Sequence, residues 1–323
     1  MSRVIQSSTS SWRRLQMFPW GFALLMLALG AVGFLALYSA GGGSVEPWAF
    51  KQLTRFLIFL GMMAALSLMD IRAWYHAVYV LYALVVLMLI YVDIAGHIGM
   101  GAQRWINLGV IKVQPSELLK IVSVLVLARY FHGARLEQLR NPFFLIPILI
   151  LIGGPVGLVV LQPDLGTAMM VLFVTAAMFF VAGVAVWMFV IAGAGVAAIL
   201  PIAWSMMHDY QRKRVYIFLN PESDPLGSGY HITQSKIALG SGGVFGKGFL
   251  NGTQSHLDFL PEKHTDFIFT LWAEEMGLVG GVFLMTLYAL IVAYGFWMSG
   301  RVHHRFGRLV VLGMTINFGL YAM

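Results

Sequence analysis

The stretch Leu260–Phe269, LPEKHTDFIF, divides the chemistry of the chain in two. Six of its first seven residues are polar, ionisable or proline: Pro261, Glu262, Lys263, His264, Thr265 and Asp266. From Phe267 onward the chain is apolar, with few interruptions, for more than twenty residues. A helix needs roughly 20 such residues to cross the hydrocarbon core of a bilayer. Asp266 therefore occupies the last step before a membrane. Two readings are open there. Thr265 or Asp266 caps a helix, where a carboxylate also suits the positive end of the dipole, or Asp266 does chemistry on a substrate presented at the membrane surface.

Composition agrees with a membrane. The chain of 323 residues is 59% hydrophobic and 11% charged, with a mean hydropathy of +0.80. A soluble chain carries about a quarter charged residues. Nine segments read as spans: Phe18–Tyr38, Leu53–Met69, Tyr75–Ile94, Leu118–Phe131, Phe143–Leu161, Gly166–Gly183, Val186–Met207, Phe267–Trp297 and Phe306–Met323. The fourth is short, and its helix is expected to begin near Gln114. The first reads as a permanent span rather than a cleaved signal. With no cysteine, disulfides, thiol nucleophiles and thiolate metal sites are excluded.

The net charge of +7 is informative by place. One set of loops holds Arg3, Arg13, Arg14, Arg72, Arg129, Arg135, Arg140, Arg301, Arg305 and Arg308. The alternate short loops hold Lys51, Arg55, Arg104 and Lys112, ten bases against four. By the positive-inside bias the N-terminus is expected in the cytoplasm. No basic stripe is interleaved with aromatics, so nucleic acid is a poor partner. The fold expected is an all-α polytopic bundle, one integral membrane domain over residues 1–323. Residues 208–265 form a large extracytoplasmic loop before the eighth span, and a loop of that length is usually functional. Within it, Ile237–Gly248 (IALGSGGVFGKG) imitates a phosphate loop but matches neither glycine spacing. It reads as a glycine-rich loop close to the membrane surface, whose amides could still meet an anion.

Ionisable groups at membrane depth are functional candidates. Glu117 and Lys120 lie i, i+3 on the fourth span and can pair. Asp164 lies in LQPDLGTA, between the fifth and sixth spans. For both sites a structural ion pair is the competing reading. Glu274 and Glu275 lie two turns or more into the eighth span, where hydrogen bonding inside the bundle is the expected role. Arg104, beside Trp105, could hold a phosphate bidentately, although Trp105 also reads as an interfacial anchor. Arg55, Arg212 and Arg214 read alone as snorkelling or solvated bases. His256-x-Asp258 and His264-x-Asp266 offer metal ligands, but their spacing fits no metal pattern.

Four stretches together, GAQRWINLGVIKVQPSELLK, LQPDLGTAMM, NPESDPLGSGYHITQSKIALGSGGVFGKGFLNGTQ and FLPEKHTDFIFTLWAEEMGLVGG, resemble the SEDS family (shape, elongation, division and sporulation). They fall in the family's order across nearly the whole chain, and GYHITQSKIALGSGG, GTQ and HTDFIF are closer to the RodA branch of cell elongation than to the FtsW branch of division. The resemblance implies a peptidoglycan glycosyltransferase of the bacterial inner membrane. Its substrate is lipid II, a disaccharide-pentapeptide on undecaprenyl pyrophosphate, polymerised at the outer face. The implied partners are a class B penicillin-binding protein transpeptidase and other elongation-complex membrane proteins. The family's essential aspartate falls on Asp266, and its sensitive tryptophan, charged pair and loop aspartate fall on Trp105, Glu117 with Lys120, and Asp164. The family has ten spans. This sequence stops inside or just after the ninth, so a truncated chain ending outside the cytoplasm is expected.

The chemistry implied is an inverting transfer to the 4-hydroxyl of the acceptor GlcNAc. Diphosphate is a good leaving group, so the reaction needs a base for the acceptor and cations for the departing diphosphate. Asp266 is the expected base. Arg55, Arg104, Trp105, Lys112, Arg212, Arg214, Lys263 and His264 are the expected substrate-binding residues. No resident metal is expected, and a divalent cation, Mg or Mn, is the one cofactor that the chemistry admits. A flippase of the same lipid precursor is the rival reading, with Glu117, Lys120 and Asp164 lining a polar path and no need of an outer base. A non-catalytic scaffold would need none of these groups.

Overall fold

The computed structural model describes residues 18–99, 102–107, 109, 112–207, 209–220, 224, 228–256 and 263–322. In chain order the elements are α1 (Trp20–Ala40), α2 (Trp48–Ser67), α3 (Ile71–Ala95), β1 (His97–Gly99), β2 (Ala102–Asn107), β3 (Lys112–Val113), α4 (Pro115–His132), α5 (Leu136–Leu139), α6 (Pro142–Leu161), α7 (Leu165–Ala182), α8 (Val186–Met206), α9 (Asp209–Leu219), α10 (Ser228–Ser241), α11 (Thr253–His256), α12 (Ile268–Arg301) and α13 (Arg305–Tyr321). Each of the nine expected segments coincides with a helix. Six of these, α1, α2, α3, α6, α7 and α12, are long and apolar enough to cross a membrane.

Two expectations are corrected. The fold is not purely helical, because residues 97–113 carry a three-stranded antiparallel sheet in the order β1-β2-β3. His97 faces Trp105, and Ile106 faces Val113. The strands are too short for periodicity to be read against the apolar background, and Gly109 turns the chain with a positive φ of 85°. The long segment before the eighth span is not a plain loop either, since α9, α10 and α11 lie within it.

The chain falls into two compact units, residues 1–68 with 199–291 and residues 69–198 with 292–323. The second is built around α4. From Val122 to Ala128 every residue of α4 is buried, as expected of a helix enclosed on all sides. Helices α3, α6, α7 and α13 supply the surrounding core, with Val85, Leu89, Ile148, Met178 and Phe306 in it. Gly313 of α13 permits a close approach, because a Cβ there would lie 2.5 Å from Val124 Cγ1 and 2.7 Å from Met178 Sδ. Pro155 within α6 has no N–H for the carbonyl of Leu151, four residues back. The hydroxyl of Tyr82 donates to that carbonyl instead, which is how membrane helices accommodate proline.

The first unit contains α1, α2, α10 and the leading part of α12. α12 is not a single rod. At Gly277 the backbone leaves helical geometry, with φ 67° and ψ −163°. Irregular backbone at such depth requires other partners for the freed groups, and the segment Gly242–Gly248 supplies them.

Candidate active site

Residues 263–267 form turns, and α12 begins at Ile268. The first helical hydrogen bond runs from Leu271 N to Phe267 O at 3.1 Å. Phe267 therefore holds the cap position, since the cap residue's carbonyl accepts that bond. Asp266 stands one residue ahead of it and is exposed. The ring of His264 stacks on Trp48 of α2, with centroids 4.5 Å apart and planes at 13°. Lys263 is half-buried in the same turn.

Behind Asp266 the head of α12 is gripped from several directions. Ser235 Oγ of α10 and Thr270 Oγ1 are 2.7 Å apart. Lys247 N and Gly248 N donate to the carbonyls of Glu274 and Glu275 at 3.1 and 3.0 Å. On the far side of the break, Leu278 N and Val279 N donate to the carbonyls of Gly243 and Val244 at 2.9 and 3.1 Å. Trp272 Nε1 spans the break to the carbonyl of Gly280 at 2.9 Å. The glycine-rich segment thus spends amides of Lys247 and Gly248 on helix carbonyls. Glycine is required for the fit: a Cβ on Gly246 would sit 2.0 Å from the oxygen of Glu275, and one on Gly277 2.3 Å from Gly246 N.

Two carboxylates are buried here, as the sequence led us to expect. Glu274 Oε1 accepts from Lys247 Nζ at 2.8 Å and from Gln254 N at 2.9 Å. Lys247 Nζ also donates to Thr253 Oγ1 at 2.6 Å. Ser39 of α1 donates to Glu275 Oε1 at 2.5 Å. Sequence reasoning missed Lys247 as a partner for Glu274. The signal available was the lysine itself, embedded in glycines, in a chain with a carboxylate at membrane depth, because such a carboxylate demands a partner.

The remaining basic candidates are distributed. Arg55 is exposed on α2. Arg212 of α9 donates from Nε to the carbonyl of Trp204 at 3.1 Å and from Nη2 to that of Ser205 at 2.7 Å, closing the end of α8. Arg214 lies on α9, and its side chain is outside the described residues. Asp258 is also outside them. Among the described residues, no cluster of three His, Asp or Glu could hold a metal.

The second unit brings Glu117 and Lys120 together, as their spacing predicts. Lys120 Nζ lies 2.8 Å from Glu117 Oε1. Tyr321 of α13 joins both: its hydroxyl donates to Glu117 Oε2 and accepts from Lys120, whose Nζ also stands 4.1 Å from the ring centroid. Tyr321 went unnoticed in the sequence because it lies 201 residues from Lys120. Asp164 is the N-cap of α7, accepting from Thr167 N at 3.2 Å through Oδ1 and from Gln114 Nε2 at 3.0 Å through Oδ2. Gln114 also donates to Ser116 Oγ at 3.0 Å, so Asp164 meets the start of α4 through an amide. Arg104 donates from Nε to the carbonyl of Gln162 at 2.9 Å and from Nη2 to that of Pro163. It staples β2 to the link before α7, with two of its donors so engaged. Trp105 is half-buried on β2, opposite His97, and Lys112 is exposed on β3.

The profile of the cell cycle protein family FtsW/RodA/SpoVE matches residues 17–323. The chain is 42% identical over 314 residues to the peptidoglycan glycosyltransferase MrdB of Escherichia coli K12, covering 96% of this chain and 83% of that one. It is similar to a solved structure describing the structural coordination of polymerization and crosslinking by a peptidoglycan synthase complex, with 31% identity, a TM-score of 0.79, and 93% and 84% of the two chains covered. The crystal structure of the rod shape determining protein RodA of Thermus thermophilus has the same fold, with 27% identity, a TM-score of 0.66, and 94% and 82% covered. With a family profile matched from residue 17 to residue 323, this chain belongs to the SEDS family, of the FtsW/RodA/SpoVE cell cycle proteins, on its RodA-like side.

Proposed function

We propose that this chain is a peptidoglycan glycosyltransferase that polymerises lipid II during cell elongation, with Asp266 as general base. The observation that carries the reading is the exposed carboxylate one residue ahead of the cap of α12, in a chain whose relatives are named peptidoglycan glycosyltransferases. Asp266 accepts the proton of the acceptor's 4-hydroxyl as that oxygen bonds to the donor's anomeric carbon. The bond from that carbon to the diphosphate breaks, and its electron pair leaves with the diphosphate, so the anomeric configuration inverts. A positioned base contributes typically about 10²–10⁴-fold. Arg55, Arg212, Arg214, Lys263 and His264 belong to the same unit as Asp266 and are the residues proposed to bind the substrate there, the bases among them supplying cations for the diphosphate. Arg104, Trp105 and Lys112 belong to the other unit and are proposed as substrate-binding residues there.

An apolar groove of about 880 Å³ runs along α12, with Phe269, Ala273, Val282 and Ala289 on one side and Gly243 and Val244 on the other. It begins one turn past Asp266 and suits the isoprenoid tail of a lipid-linked sugar. The partner is a class B penicillin-binding protein transpeptidase, in keeping with the synthase complex that this fold resembles. The N-terminus is cytoplasmic and the site extracytoplasmic, in the inner membrane.

Purified chain, labelled lipid II and no other polymerase make the test. Glycan strands are expected from the parent, and Asp266→Asn is expected to lose about 10²-fold or more in rate while remaining folded. Strands made by Asp266→Asn at near the parent rate would remove the base and reopen the flippase reading. For orientation, an impermeant amine reagent added to whole cells should modify Lys263 and spare a lysine introduced by Arg135→Lys. The reverse pattern overturns the topology.

A further inference from the structure

We infer that Lys247 and Glu274 are positioning residues for Asp266: their ion pair locks the glycine-rich segment into the break of α12 and so fixes where the head of that helix presents its carboxylate. The inference rests on the reading of Asp266 as the base.

Only nine residues, Ile268–Met276, lie between the start of α12 and Gly277. An isolated helix shorter than about 12–15 residues is marginal on its own. The ladder that would tie this head to the rest of α12 is interrupted, and four main-chain bonds from Gly242–Gly248 replace it. The direction of the head therefore follows the segment that holds it. That segment is itself soft, with Gly243, Gly246 and Gly248 at positive φ of 57°, 81° and 99°, and glycine loses the most backbone freedom on ordering.

Lys247 lies between two of these glycines. Its amide and its ammonium both reach Glu274, at the carbonyl and at Oε1 respectively. One residue thus clamps the segment to the helix by backbone and side chain together. Thr253 and Gln254 extend the grip from α11 to the same oxygen, at 3.3 and 2.9 Å. A segment whose task was to fill space could have used apolar contacts, which avoid the several kcal/mol of desolvating a charge. An ion pair with a fully buried carboxylate fixes one register instead. Asp266 stands in the turn that leads directly into this short head, one residue ahead of its cap, so tilt in the head becomes displacement at the carboxylate. A misplacement of about 1 Å can cost on the order of 10²-fold in rate.

The test uses the full chain in nanodiscs. Glu274→Gln keeps an acceptor for Gln254 N and removes the charge that holds Lys247. Its kcat for lipid II polymerisation should fall about tenfold or more while KM stays within about twofold, and Lys247→Arg should keep most of the parent kcat. Since the chain has no cysteine, Thr265→Cys takes a single nitroxide label, whose motion reports the head directly. Label mobility should rise in the Glu274→Gln background. A folded Glu274→Gln protein with parental kcat and unchanged label mobility overturns the inference, even if it melts earlier, because a merely structural pair would give that result. Retained activity in Asp266→Asn instead sinks the base reading, and leaves the label result to judge the clamp.

Discussion

Among the described residues, each unit contains one buried lysine–glutamate pair, and the two are mirror images. In Lys120–Glu117 the ammonium is buried, with 2% of its side chain exposed, and the carboxylate is 46% exposed. In Lys247–Glu274 the carboxylate is fully buried and the ammonium is 25% exposed. The first pair is one helical turn long and stays within α4. The second joins residues 27 apart, across a loop and a broken helix. The local pair serves a helix that packing already immobilises. The distant pair serves a helix head that is cut off by the break at Gly277 and held by contacts from other parts of the chain. The same two residue types thus finish a core in one unit and set a geometry in the other.

The comparison has sharp consequences, because removing one partner hurts most when the buried charge is the one left behind. Lys247→Met strands Glu274 and should have the largest effect, about 3–5 kcal/mol of stability lost in reversible unfolding. Glu274→Gln leaves a lysine that can turn to water, so its loss should be clearly smaller. Equal losses would break the asymmetry.

The second unit should show the opposite order. Glu117→Gln removes the counter-charge of buried Lys120 and leaves it only neutral partners, the new amide oxygen, Tyr321 and the Met170 sulfur, and should cost about 1.5–3 kcal/mol. Lys120→Met leaves a half-exposed carboxylate and should cost less. The double variant should be milder than the sum, with a coupling of about 0.5–3 kcal/mol in a double-mutant cycle. Strict additivity would mean that the two do not interact.

Smaller effects separate the cap from the core. Asp164→Ala should cost about 0.5–2 kcal/mol through the α7 cap, with some further loss from the Gln114 contact. Tyr82→Phe removes the donor to the Leu151 carbonyl below Pro155 and should cost about 1 kcal/mol in thermal unfolding. If Tyr82→Phe costs more than Asp164→Ala, the proline break in α6 matters more than the link before α7.

What lay within one helix, or within the run of apolar residues, was legible in the sequence. Runs of apolar residues located the six helices long and apolar enough to cross a membrane, because burial in lipid demands about 20 apolar residues wherever the chain crosses. The spacing of Glu117 and Lys120 determined their pairing, because i, i+3 side chains share a helix face. The polar-to-apolar step at Asp266 determined that a carboxylate stands at a helix start. The sheet at residues 97–113, the partnership of Arg104 with the carbonyls of Gln162 and Pro163, the closure of the Glu117–Lys120 pair by Tyr321, and the clamp of Lys247 on Glu274 were decided only by the tertiary structure. The last three join residues distant in the chain through main-chain carbonyls or buried charges. Every residue has a carbonyl and most have an amide, so sequence cannot tell which ones a break such as Gly277 leaves unpaired. Packing chooses their partners.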